Sequence, residues 1–317
     1  MCGQVRPGRF TPGGRDFRQA RNVQRHAKLA QGQRCNEITD SFCAIEAHAQ
    51  QFTLCAGIFL QCPLRPVRRL DRSTYTSYMH STTRTATIAA NLERLRATLA
   101  DAAHRAGRHP QDVKLIAVSK TQPAEAVAAA IAAGQRVFGE NTVQDALTKI
   151  PHFAGQGLEW HFIGHLQSNK ARFIPGNFTW VHSLASVKLA QRLARLAQEQ
   201  NTAVNTLIEV NITRDPAKHG VAPEDIATLL DQMLKVNLSG TRLCGLMAIG
   251  PHPATASERR ASFAALRKLR DDCAQRFALP GFTELSMGMS GDFIEAIQEG
   301  STLIRIGTAI FGERDYS

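Results

Sequence analysis

The sequence predicts an α/β fold, a (β/α)8 barrel with an extra helix before its first strand. Three observations lead there. Eight short apolar segments alternate with helical patterns from Met79 to the end. Those 239 residues come close to the roughly 250 that such a barrel needs. No G-x-G-x-x-G turn follows the first strand, which weakens the dinucleotide-binding, doubly wound alternative.

The elements follow in order. Ile88 to Ala106 reads as an amphipathic helix with Leu92, Leu95, Leu99 and Ala102 on one stripe and Asn91 and Glu93 opposite. Val113 to Lys120 (VKLIAVSK) is an apolar run rich in Val and Ile, the mark of a buried parallel strand. Alternation puts Ile116, Val118 and Lys120 on one face. A helix is expected from Pro123 to Ala133, with proline in its first turn and Gly134 behind it. Arg136–Glu140 is the second strand, with a helix from Thr142. Leu158–Gly164 and Trp180–Leu184 are the third and fourth, the latter followed by a helix over Ser186–Gln198. Asn205–Ile212 is the fifth, with a helix over Pro223–Leu234. Leu243–Ile249 is the sixth, with a long helix over Ser257–Phe277. Glu284–Ser290 is the seventh, with a short helix over Asp292–Glu299, and Leu303–Ile310 is the eighth.

Residues 1–78 differ from the rest. They carry 12 Lys and Arg against 5 Asp and Glu, most of the net charge of +11. They also hold five of the seven cysteines, Cys2, Cys35, Cys43, Cys55 and Cys62. No helical or strand period runs through them, so they are expected to be a disordered extension to a 79–317 barrel domain. Their apolar run, Phe52–Leu60, is too short to span a bilayer. The balance left to the barrel, +4, suits an anionic small molecule and does not call for nucleic acid. Cys244 and Cys273 make neither a disulfide framework nor a metal-ligand spacing. A reducing, cytoplasmic setting fits.

A barrel gathers its chemistry at the carboxyl ends of its strands. Here those ends supply Lys120, then Gly139, Glu140 and Asn141, then Gly164, His165 and Gln167. They also supply His182 and Ser183, Asn211, Met247, Ser290, and finally Arg305, Gly307 and Thr308. Lys120 has a plain reading, a rim lysine with a solvated ammonium, and a chemical one, a Schiff-base lysine whose pKa partial burial lowers. The last two strand ends decide between them. SMGMSGD sets Ser290 and Gly291 before a helix start, where unpaired N–H groups and the helix dipole favour an anion. RIGTAIFG sets Gly307 and Thr308 at the eighth end, and these two loops often bind phosphate in barrels. A phosphate there, beside a lysine from strand one, points to a phosphorylated aldehyde held as an imine, and pyridoxal phosphate is the foremost candidate.

At this point the sequence resembles a known family, the pyridoxal phosphate homeostasis proteins, relatives of the alanine racemase barrel domain. The matching stretches are LIAVSKTQP, GQRVFGENTVQDAL, LEWHFIGHLQSNK, WVHSL, LIEVNI, GLMAIG, LSMGMSGD and STLIRIGTAIFGERDYS, in order from about residue 88. The resemblance implies a single barrel that holds pyridoxal phosphate as a lysine aldimine, for storage, delivery or buffering, without strong turnover. It implies that Lys120 holds the aldehyde and that Ser290, Gly291, Gly307 and Thr308 hold the phosphate. It places Arg305 at the pyridine nitrogen, and Asn141, Met247 and the His161–Gly164 segment around the ring. Lys218-His219-Gly220 departs from the commoner family form, in which a small residue replaces the histidine.

An arginine at the ring nitrogen disfavours a second positive charge there, so the ring is a weak electron sink. A structural ion pair of Arg305 with Glu209 is the plainer alternative. A racemase of the alanine racemase type also needs a second base, a tyrosine in that family, and this chain has only Tyr75, Tyr78 and Tyr316. A sugar-phosphate aldolase would carry its lysine on strand six. The expectation is therefore a carrier and not an enzyme, acting as a monomer, with no nucleic acid, membrane or metal partner. Apo-enzymes that need the cofactor are candidate recipients, with Lys218 a candidate second amine.

Overall fold

Apolar strand runs separated by amphipathic helices have one economical solution when every strand is parallel, which is to close the sheet on itself and cover it with the helices. The computed structural model describes residues 72–313, with side chains from residue 83 onward. Its strands are β1 (Lys114–Val118), β2 (Val137–Glu140), β3 (Glu159–Phe162), β4 (Trp180–Leu184), β5 (Val204–Val210), β6 (Thr241–Ala248), β7 (Glu284–Ser286) and β8 (Leu303–Ile306). They form one closed barrel in sequence order, every neighbouring pair parallel. The (β/α)8 expectation holds.

Alternation splits the strand residues between two cores. Leu115 and Ala117 join the layer between barrel and helices, with Phe138, Phe162, Val181 and Ile208. Ile116 points inside the barrel, with Trp180, Leu207, Met247 and Leu303. The helices are α1 (Arg72–Arg105), α2 (Ala124–Ala132), α3 (Val143–Lys149), α4 (Val187–Glu199), α5 (Ile226–Leu234), α6 (Ala256–Arg276), α7 (Phe293–Gln298) and α8 (Thr308–Phe311). Ser186 and Thr255 cap α4 and α6 by accepting the N–H of Leu189 and Glu258. Between β3 and β4 no helix forms among these residues. A single 3-10 turn, Ala171–Phe173, covers that strand pair.

Helix α8 has only four residues, too few to cover the seam between β8 and β1. Helix α1 takes that place, packing against α2, α7 and α8. Its stripe of Ile88, Leu92, Leu95 and Leu99 is buried, as the 3.6-residue spacing requires. Asn91 donates to the Ile310 carbonyl at 2.9 Å.

Three expected boundaries shift. Helix α1 reaches back to Arg72, well before the expected start at Ile88. The seventh strand stops at Ser286, four residues before Ser290. Gly288, at φ +95°, turns the chain there, and a β-carbon on it would press on Ala296 and Phe293. The eighth stops at Ile306 and not Ile310. The Gly307 carbonyl accepts from the N–H of both Ile310 and Phe311, so the apolar run Ala309–Phe311 is helical. The expected disorder of the extension concerns residues almost all of which lie outside those described.

Gly245 sits where the β5–β6 register shifts, and a β-carbon on it would collide with the backbone carbonyl of Glu284 on β7. Gly245→Ala is expected to lower stability by about 3 kcal/mol, the upper range of overpacking, measured by urea unfolding. A loss below about 0.5 kcal/mol, the level of an ordinary surface change, would show that β6 and β7 separate there at little cost.

Candidate functional site

Lys120 stands two residues past β1 and is half-buried. The chain on both sides of it is clamped. Behind it, the Ser119 carbonyl accepts from Lys149 Nζ at 2.6 Å, and Ser119 Oγ donates to Glu140 Oε1 at 2.6 Å. Ahead of it, Thr121 N–H donates to Asp145 Oδ2 at 2.8 Å, in a residue held at φ +64°. Lys149 binds these acidic partners together, at 2.9 Å from Glu140 and 3.0 Å from Asp145. Burial pushes the Glu140 carboxyl up to about 7, against the pull of Ser119 and Lys149. Glu140 thus turns away from the rim where strand position alone had put it. The sequence signal for this clamp was the i,i+4 pair Asp145–Lys149 on α3.

Arg305 enters from β8, level with Ile116 of β1. It is 6 % exposed. Its guanidinium donates to Ser286 Oγ at 2.6 Å and to the Ala248 carbonyl at 3.1 Å. The alternative ion pair with Glu209 is not formed. Burial lowers the Arg305 pKa to about 10, with Asp292 and Glu209 opposing at longer range, so the group stays protonated near neutrality. Burial likewise raises both carboxyls. Both therefore hold their negative charge less firmly than a solvated acid.

Ser290 and Gly291 follow β7 in a turn whose backbone bonds are made by Asp292 N–H and Phe293 N–H to the Met289 carbonyl. The N–H groups of Ser290 and Gly291 take no part in them. Ser290 Oγ accepts from Ala309 N–H at 3.4 Å, joining this turn to the start of α8 beside Gly307 and Thr308.

One cavity of about 580 Å³ takes in all eight residues expected from the sequence: Lys120, Asn141, Met247, Ser290, Gly291, Arg305, Gly307 and Thr308. Ile163 and Gly164 line it too, but His161 does not. Its side chain lies fully buried inside the barrel, because alternation along β3 turns it inward below the rim. His182 is buried there as well. Asn211 and Lys218 are also absent from the wall. Asn211 Nδ2 donates to the Asp215 and Lys218 carbonyls, and Lys218 Nζ donates to the Gly250 carbonyl at 3.2 Å.

Polar wall residues without an assigned role in the sequence include Gln122, His252 and Arg259. At the mouth His165 stacks on His219, with ring centroids 4.3 Å apart. Partial burial and the neighbouring His219 lower the His165 pKa. The wall thus offers an amine, a guanidinium, hydroxyls and backbone N–H groups, without a carboxylate in contact with Arg305. This set fits a planar, phosphorylated pyridine aldehyde. Among the described residues no cluster of three or more His, Cys, Asp or Glu could hold a metal, and no helix is long and apolar enough to cross a membrane.

Below the cavity a polar row fills the barrel. Lys114 Nζ lies 2.8 Å from Glu159 Oε1, which also contacts His161 Nε2 at 2.8 Å. His161 Nδ1 lies 2.8 Å from His182 Nε2, and His182 Nδ1 lies 2.8 Å from Ser286 Oγ. Burial alone would raise the Glu159 pKa, but the hydrogen bonds from His161 and Lys114 and the Lys114 charge outweigh it and hold the group at about 2.

Comparison with known proteins agrees with this geometry. Residues 90–315 match the family profile "alanine racemase, N-terminal domain". A pyridoxal phosphate homeostasis protein of Pseudomonas aeruginosa is 46 % identical over 230 residues, 73 % of this chain and 97 % of that one. One of Escherichia coli is 44 % identical over 234 residues, 73 % of this chain and 98 % of that one. PipY of Synechococcus elongatus, solved with pyridoxal phosphate bound, is 40 % identical with a TM-score of 0.63, covering 71 % of this chain and 100 % of that one. An alanine racemase of Clostridium difficile, at 15 % identity and a TM-score of 0.54, shares the fold over 73 % of this chain and 58 % of its own.

The low pKa of Glu159 ties stability to pH. The group stands at 4.5 when unperturbed and at about 2 in the fold. It therefore contributes stability above 4.5 that is lost as pH falls towards 2. Glu159→Gln removes that contribution. The stability gap between wild type and variant should be open at pH 6 and narrow as pH drops from 4.5 towards 2, read by thermal melting. A gap independent of pH would show that Glu159 keeps its ordinary pKa in the fold.

Proposed function

We propose that this chain, which belongs to the alanine racemase N-terminal domain family and within it to the pyridoxal phosphate homeostasis proteins, binds pyridoxal 5′-phosphate reversibly and serves to store, buffer or deliver it. The observation that carries the reading is the convergence of Lys120, Arg305 and the Ser290–Gly291 and Gly307–Thr308 turns on one cavity. The cofactor's aldehyde supplies a reversible covalent link to an amine, and Lys120 is the amine we assign to it. Ser290 Oγ and the backbone N–H groups of Gly291, Gly307 and Thr308 receive the phosphate. Arg305 faces the pyridine nitrogen, and Asn141 and Met247 bound the ring.

Little turnover is expected from this arrangement. A protonated arginine at the ring nitrogen opposes a positive ring, so carbanion chemistry gains little from the cofactor. No tyrosine lines the cavity among the described residues. Tyr316 lies outside those residues, and Tyr75 and Tyr78 lie before residue 83. We assign the folded unit to residues 79–317, whose buried helix stripe begins at Ile88. We also propose that it acts as a monomer, in the cytoplasm, with cofactor-requiring apo-enzymes as recipients.

Lys120→Ala should abolish the borohydride-trapped adduct, read by peptide mass mapping. Labelling of the same peptide without this lysine would overturn the assignment.

Holo-protein incubated with L-alanine in deuterated water should form no D-alanine at enzymatic rates, about 1–10³ per second, and should reactivate an apo-enzyme that needs the cofactor. Steady D-alanine formation would establish the racemase reading, and failed reactivation would remove delivery.

A further inference from the structure

The polar row inside the barrel has a direction, fixed from both ends by chemistry. Arg305 has only donors. Ser286 Oγ therefore accepts from it at 2.6 Å. The single hydroxyl proton of Ser286 then has one partner in reach, His182 Nδ1 at 2.8 Å. At the other end Glu159, ionised, is an acceptor only. His161 Nε2–H therefore donates to it at 2.8 Å. Between these ends, His182 Nε2–H donates to the bare Nδ1 of His161 at 2.8 Å. Every site is used once, and both histidines are neutral with the proton on Nε2. The row begins beside the cavity, at the carboxyl ends of β7 and β8. It ends at Glu159 and Lys114, the first residues of β3 and β1. His161, His182 and Ser286 are fully buried, so no water competes for these bonds.

We propose that Glu159, His161, His182 and Ser286 are positioning residues for the cofactor site: their one-way chain of hydrogen bonds holds the Arg305 guanidinium so that its remaining N–H groups face the ring nitrogen. The proposal rests on the assignment of Arg305 to that nitrogen made above. Arg305 needs such a holder because no carboxylate touches it. Glu209 and Asp292, on the cavity wall, attract it at a distance. Without Ser286 as acceptor, and without His182 to orient the Ser286 hydroxyl, the guanidinium is free to turn towards those acids. A histidine carrying the wrong tautomer would have the same effect, since two donors would then meet within the row.

The test has two arms. In the full chain without cofactor, ¹⁵N NMR near neutral pH should show His161 and His182 neutral and protonated on Nε2. A proton on Nδ1 of either would overturn the chain. The second arm compares affinity for pyridoxal phosphate with that for its analogue bearing C–H in place of the ring nitrogen. Wild type should prefer pyridoxal phosphate, and Arg305→Met should erase the preference. His182→Phe, at a residue with no hydrogen bond to Arg305, should cut the preference about tenfold, the scale of one hydrogen bond to a charged group. His182→Gln, which keeps one donor and one acceptor, should restore it. A merely structural role would weaken both ligands alike and leave the ratio unchanged, which would overturn the proposal. A preference absent from wild type, or surviving Arg305→Met, would remove the assignment of Arg305 and the proposal with it. Should His182→Phe not fold, Ser286→Ala reads the same ratio.

Discussion

The pairing of β1 with β8 is the constraint on which the rest depends. It sets Lys114 to Ala117 against Leu303 to Ile306, residue for residue. A sheet of eight parallel strands has two bare edges until it closes, and closure satisfies both at once. Closure also brings the Lys120 segment, at the end of the first strand, beside Gly307 and Thr308, at the end of the last. Neither half of the cavity exists without it. The seam needs a cover, and α8 is too short to supply one. Helix α1 therefore belongs to the barrel structurally although it precedes it in sequence, and its buried leucines cover the strands that carry both Lys120 and Arg305.

Electrostatics then shapes the cavity. Arg305 is a buried cation held by neutral acceptors, the Ser286 hydroxyl and the Ala248 carbonyl. Burial raises the pKa values of the nearby acids, Glu209 and Asp292. The cavity wall sets Lys120, Arg259 and Arg305 against Glu209 and Asp292, a balance that suits an anion. The clamp of Lys149, Glu140 and Asp145 around Ser119 and Thr121 adds the mechanical part. It fixes the backbone on both sides of Lys120.

Much of this was legible in the sequence. The order of eight strands came from apolar runs, Lys120 and the two phosphate turns came from strand ends and loops, and the ring roles of Asn141, Met247 and Arg305 came from the family resemblance. Alternation put Ile116, Val118 and Lys120 on one face, and in the structure Ile116 points inside the barrel while Val118 and Lys120 line the cavity. Errors concentrated where local pattern and backbone bonding part company. Leu303–Ile310 reads as one continuous strand, but Gly307 allows the carbonyl there to close a helical turn, and the run divides. The resemblance put His161 at the ring and His182 read as a strand-end polar group, whereas both lie buried inside the barrel, off the cavity wall. Glu140 turned to a buried lysine on α3, a partner that strand position does not reveal.

Taken alone, the sequence determined which residues could form strands and helices, and which polar residues would fall at the carboxyl ends. Those properties follow from periodicity and local backbone preference, which act over a few residues at a time. Only the tertiary structure decided which polar groups meet: Arg305 with Ser286 and not Glu209, Lys149 with Glu140 and the Ser119 carbonyl, and His161 with His182. Such pairings depend on the stagger of distant strands around a closed ring, and a shift of one residue in register would turn each of these side chains to the opposite face.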